Sequence, residues 1–347
     1  MPKSQRKTIK IKDIKLTKKQ KVSKKEKFRT IQLNAQSNFT DTLDEINQNL
    51  ELLKCEFRFQ VHNNISMEEI LKIEKHCYEW AKKFDLITGK TTDKKFKGSK
   101  FGLLICYIFP TVSFERRCLA IDFFNWLFFV DDLVDNKKNL KDNPEKIKIE
   151  LDKFKSILDN KLLPGVLQSS IAIALWDVWS RMKKITSEKW QLKFRNSVLH
   201  YFDACYLNAL NKRSHNLPNS VEEYSKIRRH SGAVMTSFNL IEPLLEIQIS
   251  QNNIDLQNLV NYCNDHICFI NDLYSLKKEL TKGEVDNIIV ILQHSNNYSL
   301  REAIDHAVVL INNRMTQIKK FVDKLMQFSL VDQNTIKYIN ALIDIMV

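Results

Sequence analysis

Two stretches of this sequence place oxygen-bearing side chains at helical spacing, an arrangement that can bind divalent cations. The first reads Asn271-Asp-Leu-Tyr-Ser275-Leu-Lys-Lys278-Glu279. Asn271, Ser275 and Glu279 lie at i, i+4 and i+8, which stacks a carboxamide, a hydroxyl and a carboxylate along one helix face. These hard donors suit Mg2+, which keeps several waters or shares phosphate oxygens rather than filling an all-protein cage. Lys278 adds a cation able to reach a phosphate. The second stretch is Asp131-Asp132-Leu-Val-Asp135. Asp131 and Asp135 share a face, and Asp132 lies one helical step round. Three carboxylates at a helix C-terminus repel one another and oppose the negative end of the helix dipole, and bound cations would relieve both costs. A polar helix face accounts for the first stretch alone, and a solvated helix end for the second alone. Two hard-ligand clusters in one chain favour ligation.

The helix leading to the aspartates carries Phe123, Phe124, Trp126, Leu127, Phe128 and Phe129. Leu127 and Phe128, four and three residues before Asp131, point the same way as it, so an apolar wall lies directly below the carboxylates. A third feature runs from Tyr224 through Arg228, Arg229 and Ser231 to Gly232, the only glycine between Gly165 and Gly283. A lone glycine inside a long helical pattern marks a kink or a close backbone approach. A break there frees backbone groups to line a cavity. Arg228, one turn upstream, is suited to hold a diphosphate by paired hydrogen bonds. By itself this stretch is read more simply as a packing glycine beside surface arginines. Together the three features fit ionisation of an allylic diphosphate, in which metals and cationic side chains neutralise the leaving group. An aromatic, low-dielectric pocket would keep the carbocation from water. Phe128, Phe124 and Phe238 are candidates for that wall.

The elements that must position these residues are helices. Only 6 Gly and 6 Pro punctuate 347 residues, which argues against a turn-rich β fold. Helical patterns are expected over about 66–84, 101–108, 114–136, 145–159, 165–184, 187–212, 221–249, 255–281, 285–294, 299–328 and 333–346, with Ser66 and Glu69 as a capping box. Residues 90–100 read as a polar loop, and 55–62 as a short extended segment. Pro110, Pro144, Pro164 and Pro218 fall in the expected connections. No apolar run approaches the roughly 18 residues of a membrane span.

The net charge of +13 is not a property of the whole chain. Residues 1–30 hold 13 Lys+Arg against 2 acids, which is +11 of it. Residues 1–40 are therefore expected to be a disordered basic tail, and 41–347 a single helical domain. A solvated tail is favoured over contact with lipid or RNA, so no nucleic-acid partner is expected. Seven cysteines, an odd number without Cys-x-x-Cys, fit a reducing, cytoplasmic setting. Cys263, His266 and Cys268 read as core packing, because the spacing of a four-ligand zinc site is missing.

These residues resemble the class I terpene synthase family, especially its single-domain microbial-type members, over most of residues 75–330. Trp80, Phe84 and Pro110, then Phe123 to Asp135, match the run into the family's aspartate-rich motif. Trp176, Trp190, Tyr224, Arg228 and Gly232 follow in order. Asn271, Ser275 and Glu279 match the second metal motif, and Lys282-Gly283-Glu284 with Asn287 resembles the segment after it. The resemblance implies an all-α, single-domain bundle around a central active-site cavity, with three Mg2+ (Mn2+ able to substitute) bridging the diphosphate of a linear isoprenyl substrate, farnesyl diphosphate first. It implies that Asp131, with Asp132 or Asp135, holds two metals, and that Asn271, Ser275 and Glu279 hold the third. Arg228 and Lys278 would bind the diphosphate, and Ser231 and Gly232 would help trigger ionisation. A homodimer is left open. The family's C-terminal Arg-Tyr pair is not matched in the run to Ile345-Met346-Val347, which would throw more weight on Arg228 and Lys278. A chain-elongating prenyltransferase on the same fold normally carries a second aspartate-rich motif where this chain has Asn271, Ser275 and Glu279. A non-catalytic helical binding protein would have no use for either metal motif.

Overall fold

The computed structural model describes residues 65–134, 143–214, 216–250, 252–282, 284–327 and 332–346. The basic tail, the extended segment expected at 55–62 and Asp135 lie outside these residues. Among the described residues there are thirteen α-helices and no strand: α1 (Met67–Lys83), α2 (Gly89–Ser99), α3 (Phe101–Ile108), α4 (Phe114–Val134), α5 (Pro144–Leu158), α6 (Ser170–Ile185), α7 (Glu188–Ser214), α8 (Val221–Ser231), α9 (Val234–Leu244), α10 (Ile254–Lys282), α11 (Ile288–Asn296), α12 (Leu300–Gln327) and α13 (Gln333–Ile345).

Side-chain caps set several of the boundaries. Ser66, Asn143, Ser220, Asn287 and Asp332 each accept a first-turn backbone N–H with the side chain, satisfying a donor that the helix leaves free. The capping box expected at Ser66 forms its first half, with Glu69 N–H donating to Ser66 Oγ at 3.1 Å. The Glu69 carboxylate instead pairs with Arg117 of α4, so a tertiary partner takes the second half.

Two helices make the frame. α4 is buried on nearly every side from Arg117 to Leu127, as a central helix must be. Its Trp126 packs edge-on against Phe154 of α5 at 5.6 Å and Phe202 of α7 at 6.2 Å. Its Phe123 meets Phe194 of α7 at 5.0 Å, and Phe194 in turn stacks on Trp179 and Trp190. Each large side chain removed from water in this way contributes about 1.5–3 kcal/mol before entropy is counted. α10 is the second frame helix. It buries Leu259, Cys263, Phe269, Leu273 and Leu276 and packs most extensively on α12. Arg314 and Lys324 of α12 pair with Asp265 and Asp255 of α10.

Three expectations are corrected. Residues 90–100 are not a loop, since 89–99 form α2. Its Gly, Thr, Asp and Ser content is poor for a helix, but tertiary contacts override the propensity: Phe96 is buried and Asp93 accepts the Tyr78 hydroxyl of α1 at 2.6 Å. The single helix expected over 221–249 is two helices, α8 and α9, parted at Gly232–Ala233. The helix expected from 165 begins at Ser170, after a 3-10 turn over Pro164–Val166.

Candidate active site

The C-terminal half of α4, the face of α2, the end of α7, the end of α8 and the middle of α10 enclose one cavity of about 490 Å3, within the roughly 300–1,000 Å3 usual for small-molecule sites. Asp131, Asp132, Phe128, Arg228, Ser231, Asn271, Ser275, Lys278 and Glu279 all line it. Residues more than 140 apart in sequence thus face one space. Asp135 lies outside the described residues. Gly232 abuts the site rather than lining it, whereas Phe124 and Phe238 are buried in the core and do not line it either.

On the α10 wall the donors are already in contact. Ser275 Oγ donates to Glu279 Oε1 at 2.6 Å, and Asn287 Nδ2 donates to Glu279 Oε2 at 2.9 Å. Burial pushes the Glu279 carboxyl up to about 7, against the pull of those two hydrogen bonds. A buried carboxylate raised in this way is short of positive charge. Asn271 Oδ1 accepts from Arg228 at 2.9 Å. On the α4 wall Asp131 and Asp132 are exposed to the cavity, and Asp132 is paired with Lys95 of α2 at 2.6 Å. Among the described residues no three His, Cys, Asp or Glu side chains converge into a closed metal centre. The donors are oxygens on two facing helices around an open space, and that set fits Mg2+, which retains waters and shares ligand oxygens. Cys263, His266 and Cys268 are buried in the core.

Arg228 is held from behind by Asp272. Its Nε donates to Asp272 Oδ1 at 3.0 Å, and Tyr224 OH donates to Asp272 Oδ2 at 2.6 Å. Burial is the largest single influence and works against the guanidinium charge, but Asp272, first among several neighbouring groups that act together, reverses it and the Arg228 pKa rises. Asp272 also accepts the Ile288 N–H at 3.1 Å, which ties the start of α11 into the same cluster. Along α10, Asn264, Cys268 and Asp272 form a stripe at four-residue spacing that grips α8. Asn264 Nδ2 donates to Arg229 O at 3.0 Å, and Cys268 Sγ lies 3.7 Å from Arg228 O. The adjacent stripe is Asn271, Ser275 and Glu279. One rigid helix therefore fixes both the metal-type donors and the arginine.

The break after α8 arises as the glycine suggested, with a difference in detail. Gly232 keeps helical torsions, and Ala233 takes the left-handed conformation at φ 56°. Gly232 is needed for close approach, because a Cβ there would sit 2.6 Å from Cys268 Sγ and 3.2 Å from Arg228 O. Ser231 Oγ is buried without a hydrogen-bond partner and belongs to a residue of the cavity wall.

Sequence reasoning missed several lining residues. Lys95, Thr92, Phe96 and Ser99 were lost when α2 was read as a loop, because only Phe96 of the four is apolar and the stretch has no apolar periodicity to mark a helix. Phe101 stacks on Phe128 at 4.5 Å and Phe96 on Phe129 at 6.0 Å, which completes the aromatic wall. Asn208 of α7 donates to Asp286, and both line the cavity. No spacing rule links them, because Asn208 stands on α7 and Asp286 in the connection between α10 and α11.

A family model described as terpene synthase family 2, C-terminal metal binding, matches residues 122–317, more than half of the chain. The chain belongs to the terpene synthase family. Among relatives of this terpene synthase, a (+)-T-muurolol synthase ((2E,6E)-farnesyl diphosphate cyclizing) from Roseiflexus castenholzii is 30% identical over 69% of this chain and 73% of that one. A (+)-eremophilene synthase from Sorangium cellulosum is 28% identical over 73% and 77%, and a germacrene A synthase from Nostoc punctiforme is 27% identical over 84% and 88%. The solved structure of germacradien-4-ol synthase from Streptomyces citricolor superposes with a TM-score of 0.71 at 18% identity, covering 85% of this chain and 95% of that one. The all-α class I terpenoid synthase fold is therefore that of this terpene synthase. The matched region spans α4 to most of α12 and so contains both oxygen-donor stretches.

Proposed function

We propose that this terpene synthase ionises a linear isoprenyl diphosphate, farnesyl diphosphate first among them, and cyclises the carbocation to a terpene with release of diphosphate. The observation that carries the reading is the convergence of both oxygen-donor stretches, Arg228 and Lys278 on one cavity that also has an aromatic wall. The name of the Roseiflexus castenholzii relative supports a C15 substrate.

Asp131 and Asp132 on α4, and Asn271, Ser275 and Glu279 on α10, would hold Mg2+, three ions in all. When bound, Mg2+ supplies Lewis-acid neutralisation of the departing diphosphate. Arg228, preset by Asp272 and Tyr224, presents fixed donors to the diphosphate, and Lys278 adds a mobile one. Preset charge costs no reorganisation as the leaving group develops its own. The Ser231 hydroxyl, unpartnered in the wall, is free to turn toward the substrate. Phe128, stacked on Phe101, offers its ring to the carbocation, and such a contact contributes about 0.5–2 kcal/mol. The apolar wall formed with Phe96 and Phe129 keeps water from the cation until ring closure.

The test is incubation of purified protein and Mg2+ with C10, C15 and C20 diphosphates in separate vials, with headspace analysis of volatile products. Farnesyl diphosphate is expected to give a cyclic C15 product, and Glu279→Gln to lower turnover about 100-fold, the scale of losing a key electrostatic group. No volatile product from any of the three, or full turnover by Glu279→Gln, refutes the reading.

A further inference from the structure

We propose that Lys95 is a substrate-binding residue of this site, one that neutralises Asp132 in the absence of metal and swings its ammonium group into an ion pair with the diphosphate once a divalent cation takes Asp132. The inference rests on the reading of the cavity as a metal–diphosphate site and extends it to a helix that neither metal motif includes.

The geometry begins with α2. Thr92, Lys95, Phe96 and Ser99 form one face of that helix, and all four line the same cavity as Asp131, Asp132, Arg228 and Lys278. The backbone beneath Lys95 is fixed. Phe96 is buried, stacks on Phe129 at 6.0 Å and meets Phe101 edge-on at 5.5 Å. The Tyr78 hydroxyl of α1 anchors Asp93 on the opposite side of α2 at 2.6 Å.

The side chain itself is loosely held. Lys95 Nζ lies 2.6 and 2.5 Å from the two Asp132 oxygens, but the two side chains are 63% and 54% exposed. An ion pair at that exposure is worth about 0–1 kcal/mol, so it exchanges readily. The ammonium sits against both oxygens of a carboxylate that a metal would also use. A dication and an ammonium about 4 Å apart in water repel by roughly 2 kcal/mol, more than the exposed pair is worth. Lys95 must therefore leave Asp132 when a dication arrives. It then remains on a cavity wall with a long flexible stem and three donors. A diphosphate in that cavity is a stronger acceptor than a single carboxylate, because its charge is higher and its oxygens more numerous. The cavity carboxylates Glu284 and Asp286 are the competing destinations, and the experiment separates them from the diphosphate.

Two titrations of the full-length parent, Lys95→Gln and Lys95→Arg give effects of opposite sign. With Mn2+ alone, followed by the electron paramagnetic resonance of the free ion, Lys95→Gln is expected to bind the metal as tightly as the parent or more so, because a competitor for Asp132 is gone. With inorganic diphosphate plus Mg2+, followed by calorimetry, Lys95→Gln is expected to raise Kd about three- to tenfold, the range left to a charged contact at an exposed rim. Lys95→Arg keeps the charge and is expected to stay within about twofold of the parent. In steady state with farnesyl diphosphate, KM rises in Lys95→Gln more than kcat falls. Tm is unchanged, because the side chain is exposed. An unchanged diphosphate Kd in Lys95→Gln overturns the proposal and sends the ammonium group to Glu284 or Asp286. Loss of Mn2+ affinity in the same variant also overturns it, by showing that Lys95 shapes the aspartates rather than competing for them. A parent enzyme that binds no Mg2+–diphosphate refutes the functional reading itself, and that outcome differs from one in which the parent binds normally and Lys95→Gln is silent.

Discussion

At the scale of single residues, the site depends on fixed charge. Arg228 reaches the cavity with its guanidinium already tied to Asp272 and Asn271, so its position is set before any ligand binds. Arg228→Ala removes a charged donor worth roughly 1.5–3 kcal/mol and is expected to lower kcat/KM at least about tenfold. It also leaves the buried Asp272 without its cationic partner, which costs about 3–5 kcal/mol of stability. Arg228→Lys separates the two effects: it keeps a cation beside Asp272 but loses the planar fork, so Tm should recover more than kcat/KM. Equal recovery of both would mean that the arginine serves the fold and that another group holds the diphosphate. The three donors on α10 were legible in the sequence because a helix converts spacing into direction. Asp272, one residue along, was not singled out: its role depends on Tyr224, Arg228 and Ile288, none of which is a sequence neighbour.

At the scale of elements, α10 is the ruler of the site and the α8–α9 break is fitted to it. Gly232 passes so close to Cys268 that a Cβ would lie 2.6 Å from its sulfur, and Cys268 is only 1% exposed, with no solvent to move into. Gly232→Ala is therefore expected to cost about 1–3 kcal/mol, the usual penalty for overpacking, and to lower kcat as the break shifts. Adding Cys268→Ala should restore part of both, measured by thermal melting and steady-state kinetics of the two single variants and the double. If the double variant is no better than Gly232→Ala, the clash is with the Arg228 carbonyl instead. A second tie between elements joins α1 to α4, where His76 Nε2 lies 3.0 Å from Asp122 Oδ1. The hydrogen bond to this buried carboxylate is the largest cause that lifts the His76 pKa to about 10. Because the folded value lies above the unfolded value of about 6.5, the stabilisation is complete below about pH 6.5 and is lost as pH rises through about 10. The Tm difference between the parent and His76→Gln should be widest near pH 6 and shrink steadily toward pH 10. A difference that stays constant over that range would show that His76 is neutral in the folded protein.

At the scale of the whole molecule, residues 1–30 carry +11 of the +13 net charge and none of the motif residues. Their deletion is expected to leave kcat/KM within a few-fold and to weaken retention on a cation-exchange column, because charge of this kind governs non-specific binding rather than chemistry. Loss of activity on deletion would show that the tail belongs to the catalytic domain. No helix among the described residues is long and apolar enough to cross a membrane, in line with the short apolar runs of the sequence. The sequence by itself determined the helical class, most helix positions, and which residues stand on the donor faces of α4 and α10. Each of these follows from local periodicity, capping and the scarcity of Gly and Pro, which act within a few residues of one another. Only the tertiary structure decided that 89–99 is a helix, that Lys95 meets Asp132, that Asp272 presets Arg228, and that Phe124 and Phe238 belong to the core while Phe96 and Phe101 face the cavity. Those outcomes depend on contacts between different helices, from 15 positions apart for Tyr78 and Asp93 to 44 for Arg228 and Asp272. A weak helix former such as α2 is helical here because buried Phe96 and the Tyr78–Asp93 bond outweigh its own propensity, and no window of sequence contains both sides of that balance.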